Sequence, residues 1–246
     1  MAKKNPKNNE RRAVVEKMRQ DQARKERTRS MAILGACIVL VLGLLAAALI
    51  PYLKDRNATK ALAGKGITSI GVSKSAAACD PIVSKPTDKN QNHIPEGTTI
   101  TYKDAPPAFG EHRPQAAAFG RAFYTTSDRP EVAQLVHNEE HGYALAWYDD
   151  TVAKDKTQMQ DLQAMATKFQ DDKIRFIAAP WTSSDGAAFP SGKHIALTRW
   201  TADAKNPSDQ SKQRGNWQYC GSVSGSAVSD FVNKWPNAES PEPGIM

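Results

Sequence analysis

The sequence predicts an α+β protein, with a single N-terminal transmembrane helix followed by one compact mixed-sheet domain. Two observations lead to this prediction. Residues 31–50 form a run of twenty residues without a charge. From residue 93 onward, short apolar stretches of strand length are interspersed with longer helical patterns. Because these patterns mix without a strict strand–helix–strand repeat, α+β is favoured over a doubly wound parallel sheet.

The apolar run is long enough to cross a bilayer as a helix. Twenty residues at about 1.5 Å of rise each cover the roughly 30 Å hydrocarbon core. A helix also satisfies its own backbone hydrogen bonds there. We predict an anchor over residues 31–53, with Tyr52 near the headgroups. A cleaved signal peptide and a lipid on Cys37 are the alternatives, but the run is long and Cys37 lies near its start.

The charge distribution predicts the orientation of the anchor. Residues 1–30 hold 11 basic and 4 acidic residues, so this tail alone carries the whole chain's net charge of +7. Positive flanks stay in the cytoplasm, which predicts a cytoplasmic N-terminus and an extracytoplasmic segment over 54–246. Basic arms also bind nucleic acid, but topology and attraction to anionic lipid account for this one. We therefore expect no nucleic-acid partner.

Five segments follow from composition and patterning. They are a basic cytoplasmic tail (1–30), the transmembrane helix (31–53), a stalk of low hydrophobicity (54–92), the extracytoplasmic α+β domain (93–236) and an irregular, proline-rich C-terminal tail (237–246).

Periodicity predicts the elements of the domain. Short strands are expected within 64–75 and at 98–103, 122–125, 143–148, 174–179, 194–200 and 216–220. Helices are expected from a cap at Ser127 or Asp128 to His141, over 154–171, and around a final stripe of Val228, Phe231, Val232 and Trp235.

The cysteines fit an oxidising compartment. Cys79 and Cys220 are the only two cysteines outside the apolar run, and such a compartment allows them to pair. Two free thiols are the alternative. A bond would close a loop of about 140 residues, worth up to roughly 4–5 kcal/mol on the chain-entropy account. The sequence has no CxxC motif, which argues against a redox enzyme.

Histidines are the strongest candidates for chemistry. His112 lies in a stiff loop, PPAFGEHRP (106–114), and His137 and His141 are four residues apart. That spacing places two imidazoles on one helix face, where both can reach one metal ion. The string also fits the inverted zinc-peptidase pattern HxxEH, but Gly142 ends the helix at once. His194 is expected to be a histidine at the edge of the core.

The helix carrying these histidines has an unusual apolar face. Leu135 and Val136 fall on one side, while His137 and His141 point away from it. Glu139 falls within the apolar stripe, which is odd for a carboxylate. Either the histidine face meets His112 and His93 in a pocket, or the histidines only form hydrogen bonds and face solvent.

These residues resemble a known family. His93, the PPAFGEHRP loop, GRAFY (120–124) and VHNEEHGYALAWY (136–148) occur in that order. Over residues 79–236 the chain is similar to an uncharacterised, mostly actinobacterial family of membrane-tethered extracytoplasmic domains with PPxSGxHxP and VHNLEHG motifs. The resemblance implies that His93, His112, His137, Glu140 and His141 occupy recurring positions. Glu139 stands where leucine is usual in that family.

The leading hypothesis is a non-enzymatic binding or accessory protein of the cell membrane. Its site would be formed by His93, His112, His137 and His141, with Glu140 as a further candidate ligand, and imidazoles suit Zn²⁺ or Cu²⁺. One alternative is a metal-dependent hydrolase of the cell envelope that uses Glu140 as general base. The other is a scaffold subunit with partners in a membrane complex.

Overall fold

The computed structural model describes residues 6–244 and divides into two compact units, one ending at Asp55 and one beginning at Arg56. Helix α1 (Pro6–Ala63) contains the uncharged run, and the large apolar side chains of that run are exposed. Among the described residues it is the one helix long and apolar enough to cross a membrane. The predicted helix therefore exists and is longer than 31–53.

The second unit is built around a five-stranded mixed sheet, which confirms the predicted α+β class. The sheet order is β1-β5-β4-β2-β3, with β2 and β3 parallel and the other neighbours antiparallel. Its elements are β1 (Val83–Pro86), α2 (Val132–Glu140), β2 (Ala144–Tyr148), α3 (Asp150–Lys154), α4 (Lys156–Asp171), β3 (Phe176–Pro180), β4 (Ile195–Thr201), β5 (Arg214–Cys220) and α5 (Gly225–Asn233).

Both faces of the central strands are covered. Ala144 and Ala146 of β2 belong to a core cluster with residues of α4 and α5, while Leu145 and Trp147 belong to a second cluster with Leu135 of α2. Successive residues of a strand point to opposite faces, so α2 lies on the face opposite α4 and α5. The candidate site is on the α2 face.

Helix positions agree with the apolar periodicity, while some helix starts differ from the prediction. Glu131, not Ser127 or Asp128, caps α2, in a reciprocal capping box with Gln134. Asp128 instead accepts the amide of Thr125 at 2.7 Å. The helix predicted at 154–171 begins at Lys156, because Asp155 accepts the amides of Thr157 and Gln158.

Three strand predictions were wrong or too long. Residues 98–103 form no strand, and the carbonyl of Thr98 instead accepts the Arg113 guanidinium at 3.0 Å. Residues 122–125 contribute a single bridge, between Phe123 and Ala178. In 64–75 there is a short 3₁₀ turn (Ile67–Ser69) and one bridge, from Gly71 to Ser224.

The range predicted as a stalk contributes to the sheet. Strand β1 pairs with β5 in antiparallel register, Val83 opposite Trp217. Cys79 and Cys220 form the disulfide, across a sequence separation of 141 residues. The segment before residue 93 is thus attached to the last strand both by backbone hydrogen bonds and covalently.

Candidate metal centre

Three chain segments converge at the site. Helix α2 supplies His137 and Glu140, which are one turn apart. It ends at Glu140, with His141 as its C-cap and Gly142 following at a φ of +81°. The proline-flanked loop supplies His112, which forms a parallel bridge with His93: the His112 amide donates to the Asn92 carbonyl at 3.1 Å. This pairing holds two histidines that are 19 residues apart side by side, with the His112 ring edge-on to Trp200 of β4.

Four of these side chains form one potential ligand set. Each of His93, His112, His137 and Glu140 offers a ligand atom, and these atoms all lie within 4.8 Å of one another. His112 is fully buried, Glu140 is 2% exposed and His137 is 7% exposed. His93 is exposed, so the cluster meets solvent at that side.

Backbone carbonyls determine the orientation of two imidazoles. Nδ1 of His112 lies 2.8 Å from the Gly110 carbonyl, and Nδ1 of His137 lies 2.6 Å from the Arg113 carbonyl. A carbonyl oxygen only accepts, so Nδ1 of each ring must carry the hydrogen. A neutral ring then has its lone pair on Nε2. Histidines that bind metals are commonly held in this way by a hydrogen bond from the other nitrogen.

The contact between His112 and Glu140 lacks the geometry of a hydrogen bond. Nε2 of His112 lies 3.0 Å from Oε2 of Glu140, yet among the described residues neither atom has a hydrogen-bond partner. A bare lone pair facing a carboxylate oxygen at this distance is repulsive, and the contact becomes favourable when a proton on Nε2 or a metal ion lies between the two atoms. Two ligand atoms that are each about 2.0–2.2 Å from one zinc ion lie roughly 3–3.5 Å apart, which fits this pair.

The other oxygen of Glu140 is held by amides. The side-chain amide of Gln91 donates to Oε1 of Glu140 at 2.7 Å. Its own side-chain oxygen accepts from Gln210 at 3.0 Å and from Gln213 at 3.2 Å. Burial opposes ionisation of Glu140, but His112, Gln91 and His137 outweigh it and lower its pKa. The carboxylate is thus ionised and oriented, as a metal ligand must be.

Burial also keeps His137 neutral. Desolvation is the main cause, and nearby His112 and His141 add to it, lowering the pKa of His137 to about 4. A ligand that is already deprotonated has no proton to release when a metal binds. His137 is therefore ready for metal ligation at neutral pH.

Glu139 lies in the apolar stripe of α2 and faces the core. It is fully buried, and neither of its carboxylate oxygens has a hydrogen-bond partner among the described residues. Burial raises its pKa well above the usual value, although Thr198 and Arg199 of β4 favour the ionised form. It is next to Glu140 in the sequence and points roughly 100° away from it around the axis of α2.

The remaining predicted residues lie nearby or elsewhere. His141 does not join the first ligand set; it groups with Glu140 and Glu242, whose ligand atoms lie within 4.8 Å of one another. His194 lies immediately before β4, half-buried, with Nδ1 donating to Asp149 at 2.8 Å. Its position at the core edge agrees with the sequence interpretation.

Sequence reasoning missed Glu242 and Gln91. Glu242 stands between two prolines in a segment expected to be an irregular tail, yet its amide donates to the Glu140 carbonyl at 3.0 Å. Gln91 lies in the predicted stalk, where nothing in the local sequence distinguishes it from its polar neighbours. Both are close to α2 only through the tertiary fold.

The second unit is an α+β domain with a buried histidine–glutamate cluster, in a chain that also has a long apolar helix near its N-terminus. The chain belongs to the family described as "Protein of unknown function (DUF3105)", which matches residues 93–246. That range begins at His93 and includes Glu242, and so contains every side chain of both ligand sets. No curated protein and no solved structure matches the chain.

Proposed function

We propose that the domain binds one divalent transition metal ion, Zn²⁺ or Cu²⁺, through His93, His112, His137 and Glu140, as a non-enzymatic binding or accessory function. The observation that carries the proposal is the buried, unpartnered pair of His112 Nε2 and Glu140 Oε2, 3.0 Å apart. The ligand atoms all lie within 4.8 Å of one another, and the edges of a zinc tetrahedron are roughly 3.5 Å. Side-chain movements of about 1 Å are therefore enough to close the set around one ion.

The test is metal binding by the full-length chain in detergent. The chain is stripped with chelator, dialysed against Zn²⁺ and analysed by elemental mass spectrometry. We expect His112→Ala and His137→Ala to weaken binding by more than about tenfold each. His194→Ala is the matched control, because this histidine pairs with Asp149 outside the cluster. Equal zinc binding by the wild type and both site variants would contradict the proposal.

Glu140→Gln separates metal binding from hydrolysis. In the hydrolase alternative Glu140 is a base acting on metal-bound water, so the variant keeps its metal and loses turnover. In our proposal Glu140 is a ligand, so the variant loses affinity for the metal. The amide keeps the size of the side chain, which limits other changes.

The scaffold alternative predicts a different result: stable partners co-purify with the chain from membranes, and the purified chain binds no metal.

We also propose that α1 anchors the chain in a membrane, with the N-terminus in the cytoplasm and residues 54–246 outside. The uncharged run, the basic residues before it and the Cys79–Cys220 bond support this orientation. Alkaline phosphatase fused after residue 246 should be active, because that enzyme requires an oxidising compartment. An inactive phosphatase, together with a fluorescent cytoplasmic reporter at the same position, would overturn the orientation.

A further inference from the structure

A second group of ligand atoms adjoins the first. Glu140, His141 and Glu242 each offer one ligand atom, and these lie within 4.8 Å of one another. His141 is 2% exposed, whereas the Glu242 side chain is 42% exposed. The group therefore combines two buried side chains, Glu140 and His141, with one carboxylate that solvent can reach.

Glu140 is common to both groups. Its Oε1 accepts from Gln91, and its Oε2 is buried without a hydrogen-bond partner among the described residues. The rings of His137 and His141, one turn apart on α2, have centroids 4.7 Å apart. Sites that hold two metal ions about 3.5–4 Å apart commonly share a carboxylate between them, and the position of Glu140 fits that role.

The C-terminal segment is held where Glu242 can take part. The Glu242 amide donates to the Glu140 carbonyl at 3.0 Å, and the Ala202 amide donates to the Glu239 carbonyl at 2.9 Å. Arg175 donates to the Pro243 carbonyl at 3.2 Å. Ser240 is fully buried. These contacts place the Glu242 backbone against the end of α2, with its side chain beside the His141 ring.

His141 faces Glu242 through Nδ1. That nitrogen lies 3.4 Å from the Glu242 carbonyl oxygen and 3.7 Å from the carboxylate Oε2. Phe119 packs edge-on against the ring, with centroids 5.6 Å apart. The ring is thus packed between the first ligand set and the C-terminal segment. A carbonyl oxygen only accepts, so Nδ1 carries the hydrogen in this arrangement, and ligation through Nδ1 requires the ring to give up that long contact and release the hydrogen.

We propose that the domain holds a second divalent transition metal ion at Glu140, His141 and Glu242, so that the complete centre is dinuclear with Glu140 shared. This inference rests on the proposed function, because the first ion uses the same glutamate. With three protein ligands and an exposed side, the second ion keeps a coordination position for water or for an anionic oxygen ligand. It is also the weaker site, since one of its carboxylates is solvated.

The experiment counts metal ions in the full-length chain in detergent, titrated with Zn²⁺ alone. We expect two zinc ions per wild-type chain and one in Glu242→Gln, with His112→Ala affecting the tighter ion. Glu239→Gln is the matched control, because it removes an acid from the same segment outside both ligand sets. Tryptophan fluorescence verifies folding, since all five tryptophans lie between residues 147 and 235.

Each outcome separates the two proposals. A wild-type chain that saturates at one zinc, or a Glu242→Gln variant that still binds two, overturns the second site and leaves the first. A wild-type chain that binds no zinc overturns both. Electron paramagnetic resonance with Cu²⁺ gives an independent measure: at two equivalents the wild type should show a half-field signal from two coupled ions. Glu242→Gln should show only the spectrum of an isolated ion.

Discussion

Nε2 of His112 lies 3.0 Å from Oε2 of Glu140, although the residues are 28 positions apart and the two atoms form no hydrogen bond within the described chain. Nδ1 of His112 donates a hydrogen bond to the Gly110 carbonyl, and the Gln91 side chain donates one to Oε1 of Glu140. These hydrogen bonds orient both side chains and leave one potential metal-ligand atom on each of them, Nε2 of His112 and Oε2 of Glu140, buried and without a hydrogen bond in the described chain. Such an arrangement is costly without a cation, and it becomes favourable when a metal ion binds.

The hydrogen bond from the Gln91 side-chain amide to Glu140 should raise the affinity of the site for metal. Gln91→Ala removes the hydrogen bond to Oε1, so Glu140 loses its fixed orientation, and we expect zinc affinity to fall by about 10–100-fold. Competition with a chromophoric chelator measures the change. Gln170→Ala is the control, because that amide donates to the Gly120 carbonyl in an exposed position away from the cluster. Unchanged affinity in Gln91→Ala would mean that Glu140 needs no such support.

The neutral state of His137 should make the metal-free domain sensitive to acid. Its pKa falls from the ordinary 6.5 to about 4 on folding, so the unfolded chain binds more protons between these values. Stability is therefore lost as pH falls from about 6.5 to 4, by at most about 1.4 kcal/mol per pH unit from this group. Denaturant titrations with chelator present, monitored by tryptophan fluorescence, measure it.

The control for this pH dependence is His137→Gln, which removes the titrating group. We expect the variant's unfolding free energy to fall less steeply than that of the wild type over the same window. Parallel curves for the two proteins would show that His137 is not the group responsible.

Glu139→Gln should stabilise the metal-free domain at alkaline pH. Burial raises the Glu139 pKa well above its unfolded value near 4.5, so folding retains a proton that the unfolded chain releases. The stability contributed by the protonated form is full below pH 4.5 and declines as pH rises towards the folded pKa. Glutamine has no proton to lose, so the gain over wild type should grow from pH 5 to 8 in thermal unfolding. A gain that shrinks over this range would contradict the raised pKa.

The disulfide should contribute substantially to stability. It joins residues 141 positions apart, and on the chain-entropy account its loss destabilises by up to roughly 5 kcal/mol. Replacing both Cys79 and Cys220 by alanine should lower the denaturant midpoint of the tryptophan transition. Cys37→Ala is the control, since this cysteine forms no disulfide. An unchanged midpoint in the double variant would show that packing of β1 on β5 alone holds the segment.

Local patterns in the sequence were enough to locate most of the sheet and helices. Strands β2, β3, β4 and β5 lie within a few residues of the predicted ranges, because buried strands and amphipathic helices carry strong periodicity. Strand β1 was missed because all four of its residues are exposed, which leaves no apolar alternation. The strand prediction at 98–103 was wrong because an alternating pattern does not provide a neighbouring strand to pair with. The Thr98 carbonyl accepts a hydrogen bond from Arg113 instead.

For the site, the sequence indicated which residues carry chemistry, but their grouping depended on the fold. The i, i+4 spacing of His137 and His141 predicted one shared face, yet the structure groups Glu140 with His93, His112 and His137, and groups His141 with Glu242. The difference arises because Glu140 lies on the border of the helix face, where the loop bearing His112 and the C-terminal segment reach it from two sides.

The long apolar helix, the α+β class and the candidate histidines could be predicted from sequence, since each follows from composition or periodicity along a short stretch of chain. The contacts of His112 with Glu140, of Gln91 with the same carboxylate, and of Glu242 with His141 across 101 residues are visible only in the folded chain. Such contacts depend on how loops without periodicity pack against the sheet, and no local pattern encodes that packing.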